Sequence, residues 1–331
     1  MEGSKKPSVS LSPSDISSPV APVRRAVIDV GTNSVKLLVA EVLGHVVKPL
    51  LERSEQTRLG SGFYETHRLQ PAAMARTARA VADFGVEAAE WGPQSVRVIA
   101  TSAARDALNQ IDLIAAIERT SGLRVEVISG EQEADWAFRG VISDPVFVAR
   151  PLLIVDVGGG SSEFILGEKE HQRFRHSFPL GTVRLLEQFN PSDPPTAQEW
   201  KACSNHLRTF IEREIAPPLE RELRAMKTGE VRLVGTSGTT SIMARIELGL
   251  KSFDRDKIEG VHLTRQKVKC QRRRLWSLTL AERKKIAGLP ADRTDVILAG
   301  VAIYEALMEL FEFEELQIST RGLRFAAVIE P

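Results

Sequence analysis

Apolar and polar positions along the chain follow two periods, one suited to strands and one to helices. Ala26–Val30 and Val35–Val42 are apolar, β-branched runs split by a polar turn, which predicts two buried strands. A more polar stretch follows, and Pro71–Glu90 then carries apolar residues at helical spacing. Ser95–Ala100 reads as a strand, Ile111–Arg119 as a helix, Arg124–Ile128 as a strand and Glu131–Val141 as a helix. Two strands come next, Leu152–Val157 and Ser162–Leu166, and beyond Pro191 the apolar spacing predicts a helix over Ala197–Glu214. The last third predicts a strand Val231–Val234, a loop over Gly235–Thr240, and a basic helical segment Thr264–Lys285. Thr279 and Glu282, at capping-box spacing, mark a helix start within that segment. A long apolar helix Asp292–Phe311, a strand Leu316–Ser319 and a short helix Gly322–Ile329 close the chain. Strands alternating with helices in this way define an α/β protein.

The pattern also repeats. RAVIDVGTNSVKLLVAEV and LLIVDVGGGSSEFILGEK share an apolar strand, Asp-Val-Gly, a small polar turn, Ser and a second strand. Asp29 aligns with Asp156, Gly31 with Gly158 and Ser34 with Ser161, all at one interval. Two strand, turn, strand units at domain-sized separation imply two similar half-molecules facing each other across a cleft.

Length and charge narrow the class. With 331 residues the chain exceeds what one core organises, so two domains are expected. Hydrophobic content of 43% without a long uninterrupted apolar run excludes a membrane span. Forty-four basic and 43 acidic residues leave a net charge of +1, so bulk charge attracts no polyanion and any anion site is local. Cys203 and Cys270, isolated and without a secretory leader before them, suit a reducing cytoplasm. Residues 1–22, rich in Ser and Pro, are expected to form a disordered tail.

Three glycine-rich turns follow buried strands: Gly31-Thr32-Asn33-Ser34, Gly158-Gly159-Gly160-Ser161-Ser162 and Gly235-Thr236-Ser237-Gly238-Thr239-Thr240. Without a Cβ the backbone N–H groups can approach an anion closely, and phosphate suits these turns best. None matches a Walker loop, and Glu163 stands where a dinucleotide-binding turn needs its last glycine. Asp29 and Asp156 end buried strands, where an unpaired charge is costly, and a hard Mg²⁺ ion bridging carboxylate and phosphate fits them. Glu131, Glu133 and Asp135 open a helix, a place the helix dipole favours for acids in any protein. Arg105, beside Thr101 and Ser102 at a strand end, can fork onto phosphate oxygens or form a surface ion pair. The block from Arg265 to Lys285, including Arg272, Arg273 and Arg274, is either a solvated helix face or a guide for a polyanion, and lacks the aromatic platform of a nucleic-acid binder. No His-Asp pair supports a second metal phosphohydrolase centre.

IDVGTNSVKLLV, ATSAARDALN, VISGEQEADWAFRGV, IVDVGGGSSEFILG, FPLGTVRLLEQF, LVGTSGTT, DRTDVILAGVAIYEAL and STRGLRFAAV occur in this order. Together they resemble the exopolyphosphatase and guanosine pentaphosphate phosphohydrolase family, of the actin, Hsp70 and sugar-kinase fold. The resemblance implies two ribonuclease H-like lobes, one of residues 23–130 with 320–331 and one of 131–319, with the site in the cleft between them. It places Glu133 at the general-base position and Glu163 at the second catalytic carboxylate. Thr32, Asn33, Ser34, Ser102, Arg105, Gly159, Gly160, Ser161 and Gly238 fall at substrate-contacting positions, and Asp29, Asp156 and Glu163 at the divalent-ion site. The implied reaction is Mg²⁺-dependent, or dependent on another divalent cation, and removes a terminal phosphate. Which of Glu133 and Glu163 is the base stays open, as does the substrate: inorganic polyphosphate, or guanosine pentaphosphate in its place. An ATPase or kinase of the same fold is the competing enzyme, and oligomeric state, a homodimer included, is also open. The extra C-terminal domain of longer relatives is missing, which implies a short two-lobe form.

Overall fold

The computed structural model describes residues 21–226 and 231–330, so the expected tail lies, apart from residues 21 and 22, outside the described residues. Strands β1 (Val23–Val30), β2 (Val35–Leu43), β3 (Val46–Glu55), β4 (Ser95–Ala100) and β5 (Val125–Val127) form one sheet in the order β3-β2-β1-β4-β5. The second sheet contains β6 (Leu152–Val157), β7 (Ser162–Glu168), β8 (His171–Phe178), β9 (Arg232–Thr236), β10 (His262–Thr264) and β11 (Glu315–Ile318), in the order β10-β11-β9-β6-β7-β8. Both sheets are built alike. Three antiparallel strands, β1 to β3 and β6 to β8, are joined by a parallel strand, β4 on β1 and β9 on β6. This repeated order is that of a ribonuclease H-like pair of halves, and β10 is an addition on the second edge.

Three strands escape the sequence pattern. β3, β8 and β10 lie at sheet edges and expose much of their length, so their polar residues face water and leave no apolar run to read. The helix expected over Ala197–Glu214 ends at Phe210 and continues as a π-helical turn, Ile211–Ile215, into helix Ala216–Ala225. Pro217 and Pro218 have no N–H to close the preceding turn, which widens while Ile211, Ile215 and Leu219 stay fully buried. The expected loop Gly235–Thr240 is instead the end of β9 and the start of helix Ser237–Leu248. Likewise the long apolar helix begins only at Ile297, behind a 3₁₀ turn Ala291–Arg293 that turns Arg293 toward the cleft.

Helix Gly130–Ile142 joins the halves. Its Trp136 packs with Val27, Leu38 and Ile99 of the first sheet and with Phe325 of the terminal helix Leu323–Ala327. Ala134, Ala137, Phe138 and Val141 pack instead on Leu152, Ile154, Ile165 and Val234 of the second. The returning C-terminal segment crosses this helix so closely that a side chain at Gly140 would collide with the Gly322 carbonyl. Glu133, on the first turn of the same helix, is thereby held at the junction of the sheets.

The basic block is not a free cationic surface. Arg272 is buried against Glu305, with Nη2 to Oε1 at 3.0 Å, and its guanidinium stacks 3.8 Å from the Trp200 ring centre. Lys267 pairs with Glu247 at 2.8 Å, Lys269 with Glu309 at 3.2 Å and Arg283 with Asp193 at 3.4 Å, and Arg265 pairs with Glu314. Most of these residues therefore already have acidic partners, which favours the solvated helix face over a polyanion guide. Glu305→Ala should cost about 3–5 kcal/mol in a urea melt, because it strands a buried guanidinium. Exposed Arg273 and Arg274 should each tolerate Ala within about 0.5 kcal/mol. An unchanged midpoint for Glu305→Ala would show that the pair carries no stability.

Candidate active site

The two turns after β1 and β6 have one geometry. Gly31 N–H donates to Ser34 O at 3.0 Å, and Gly158 N–H donates to Ser161 O at 3.0 Å. In the hairpins they close, Asp29 stands opposite Lys36 and Asp156 opposite Glu163. The second turn is pressed onto the first half: a side chain at Gly160 would collide with Tyr64 Oη and Ser102 Oγ. Its carbonyls are taken by the next helix, with Thr182 N–H donating to Gly158 O at 3.0 Å and Val183 N–H to Gly159 O at 2.8 Å. The N–H groups of Thr32, Asn33, Gly159 and Gly160 find no acceptor among the described residues. Unpaired N–H groups on two turns that line one cavity suit an anion.

That space is a cavity of about 100 Å³ between the two turns, walled also by Glu133, Asp29, Asp156 and Lys36. It adjoins a larger cavity of about 360 Å³, and the two share Asp29, Lys36, Asp156, Ser237, Gly238 and Arg293. Ser237 holds a left-handed backbone, φ 87°, that a residue with a side chain rarely adopts. Its hydroxyl donates to Val157 O at 3.1 Å and also reaches Asp156, so the strain places a donor at the carboxylate.

Burial dominates the electrostatics. It raises the Glu133 carboxyl to about 7, against the pull of Arg105, whose Nη1 lies 2.9 Å from Glu133 Oε2. It also raises Asp29, Asp156 and Glu163, with Glu133 and Asp156 adding repulsion at Glu163. Burial lowers the Lys36 ammonium, opposed by Asp29. One oxygen of Asp29, Oδ1, is buried with no partner. Among the described residues no group of three or more His, Cys, Asp or Glu gathers at ligating positions. Two carboxylates, one with an unsatisfied oxygen, fit Mg²⁺, which binds through one or two carboxylates and completes its shell with phosphate and water.

The residues singled out in the sequence fall into two groups. Thr32, Asn33, Ser34, Ser102, Gly159, Gly160, Ser161, Gly238, Asp29, Asp156 and Glu133 line the smaller cavity. Arg105 and Glu163 do not. Arg105 grips Glu133 and the Ile128 carbonyl, at 3.3 Å, so its contacts are protein groups rather than the open cavity. Glu163 is 1% exposed behind the turn and accepts hydrogen bonds from Ser161 Oγ at 2.8 Å and Ser177 Oγ at 2.7 Å. Glu131 and Asp135 face Arg175 on the surface, and Ser129 caps their helix by accepting from Gln132 N–H, so Glu133 is free of capping duty. Sequence reading missed Lys36, Arg293 and Arg324, all at the cavities, and named Ser237 only as part of the third turn. For Lys36 the signal was present, since the repeat that pairs Asp29 with Asp156 also pairs Lys36 with Glu163.

Residues 38–329 match the model of the Ppx/GppA phosphatase family. Exopolyphosphatase 2 of Mycobacterium tuberculosis is 34% identical over 305 residues, spanning 87% of this chain and 91% of that protein. A crystal structure of the Aquifex aeolicus Ppx/GppA family member superposes with a TM-score of 0.74 at 32% identity, over 93% of this chain and 97% of the other. An exopolyphosphatase from Cytophaga hutchinsonii superposes with a TM-score of 0.81 at 29% identity, over 92% and 96%.

Proposed function

Since the chain belongs to the Ppx/GppA phosphatase family and is a phosphatase-type hydrolase, we propose that it is a Mg²⁺-dependent exopolyphosphatase releasing terminal phosphate from inorganic polyphosphate. The observation that carries this reading is a buried carboxyl near neutrality, Glu133, on the wall of a phosphate-sized cavity whose turns present unpaired N–H groups. The M. tuberculosis and C. hutchinsonii relatives, both exopolyphosphatases by name, support the substrate.

In this reading the N–H groups of both turns hold the equatorial oxygens of the terminal phosphate, where charge must be stabilised as the bond breaks. Glu133 takes the proton of the attacking water, and Arg105 fixes the carboxylate that receives it. Glu163 holds the Ser161 hydroxyl and so the shape of the second turn. Asp29 and Asp156 would hold Mg²⁺, which when bound neutralises phosphate oxygens.

Phosphate release from long polyphosphate, short polyphosphate and guanosine pentaphosphate, measured side by side with Mg²⁺, tests the reading. Polyphosphate should give the highest kcat/KM. A higher value for the nucleotide would favour the second reading, for which the half-exposed Phe253 ring on the larger cavity offers a surface to stack a base.

The rate should also depend on Glu133 being ionised. We expect kcat/KM to fall about tenfold per pH unit on the acid side of about 7 and to level above it. Stability should run the other way. A carboxyl raised by folding from 4.5 to about 7 contributes stability below its ordinary value and loses it as pH rises through 7, so the metal-free protein should melt lower at pH 8 than at pH 5.5. A flat rate profile between pH 5.5 and 8 would remove Glu133 as the group that titrates.

A further inference from the structure

We propose that Lys36 fixes which way round the substrate lies, as the cation that meets the leaving side of the phosphoanhydride bond. The inference rests on the phosphoanhydride hydrolase reading above. Lys36 on β2 stands directly opposite Asp29 on β1, so both side chains leave one face of the sheet, and Lys36 lines both cavities. In the second half the same position is Glu163. The two halves, alike in their turns, thus differ in the sign of charge at this point.

The cavities differ correspondingly. Glu133 and both N–H turns line the smaller one, and none of them lines the larger. The larger cavity continues from Lys36 along Arg293, Arg245 and Arg324. Arg293 is engaged by Ser34 Oγ at 2.5 Å, and Arg324 by the Leu37 carbonyl at 2.9 Å and Glu52 at 3.5 Å. Lys36 makes no side-chain hydrogen bond or ion pair among the described residues, and Arg245 Nε is buried without a partner. A chain with its terminal phosphate on the turns runs past Lys36 into the larger cavity, and the bond between its last two phosphates falls beside the ammonium. The water oxygen then bonds to the terminal phosphorus, its proton passes to Glu133, and the broken P–O bond leaves its electron pair on the departing oxygen. A Lys36 N–H donates to that oxygen and offsets its charge.

Inorganic orthophosphate and tripolyphosphate distinguish this role. Their binding with Mg²⁺ is measured by calorimetry in a Glu133→Gln background, which keeps the probe intact, with and without Lys36→Met. Orthophosphate affinity should change less than about twofold, while tripolyphosphate affinity falls at least about tenfold, the scale of one charge-assisted hydrogen bond. With Glu133 restored, Lys36→Met should lower turnover of tripolyphosphate by about 10² to 10³, and Lys36→Arg should recover most of it. Equal weakening of both probes would make Lys36 a neutraliser of the aspartates and overturn the proposal, as would unchanged tripolyphosphate binding. If Lys36→Met does not fold, Lys36→Gln gives the same comparison without a charge. The binding arm needs no turnover, so tripolyphosphate held through Lys36 by an enzyme that hydrolyses no polyphosphate would sink the functional reading and leave the orientation standing.

Discussion

Glu133→Gln is expected to lower polyphosphate turnover at least about a hundredfold, the scale of a lost general base, while the protein melts no lower than the unsubstituted chain. The amide keeps the shape of the carboxylate and can still accept from Arg105, now at 2.9 Å, so the packing around helix Gly130–Ile142 has no reason to change. What disappears is the proton acceptor. Burial raises the Glu133 carboxyl to about 7, so at neutral pH its charge is a burden to the fold that the amide does not carry. The acid-side fall in kcat/KM should vanish together with the rate. Turnover measured beside a thermal melt decides the matter: a folded variant that keeps its full rate has lost nothing that Glu133 supplied.

The second large effect is expected at Asp156. Asp156→Asn should raise the Mg²⁺ concentration for half-maximal activity at least about tenfold, since even an outer partner of a metal ligand is commonly worth about 10- to 100-fold in metal affinity. The same change should raise the melting temperature of the metal-free protein. Burial holds the Asp156 carboxyl above its ordinary range, with Asp29 adding repulsion, so its ionised form opposes folding near neutrality. Activity and stability therefore move in opposite directions, as expected where a site is strained for function. An unchanged Mg²⁺ requirement, or a lower metal-free melting temperature, would show that Asp156 serves the fold and not the ion.

Arg105 and the basic block show what residue chemistry alone leaves out. An Arg beside hydroxyls at a strand end suits phosphate, but the strand end lies within reach of helix Gly130–Ile142, and the guanidinium meets Glu133 there. Nine cations within a short segment suggest a polyanion path, yet Glu247, Glu305, Glu309, Glu314 and Asp193 come to meet them from elsewhere in the chain. A charge run can be read from sequence, but its partners come from packing.

By itself the sequence determined the α/β class, the two matched halves and the turns that face each other between them. These rest on local physics: apolar period marks buried strands, and glycine-led turns need few neighbours to form. It also held Lys36, in register with Glu163 through the repeat. Tertiary structure alone decided which acid reaches the cavity and which stays behind the wall. Glu133 and Glu163 are both buried carboxylates beside glycine turns, but helix Gly130–Ile142 wedges between the sheets and delivers the first to the cavity, while Ser161 and Ser177 hold the second behind the turn. It decided too that Arg293 enters the cleft, because the 3₁₀ turn ahead of the apolar helix breaks the periodicity from which its direction would be read. Such placements depend on contacts between segments far apart in the chain, which no local period encodes.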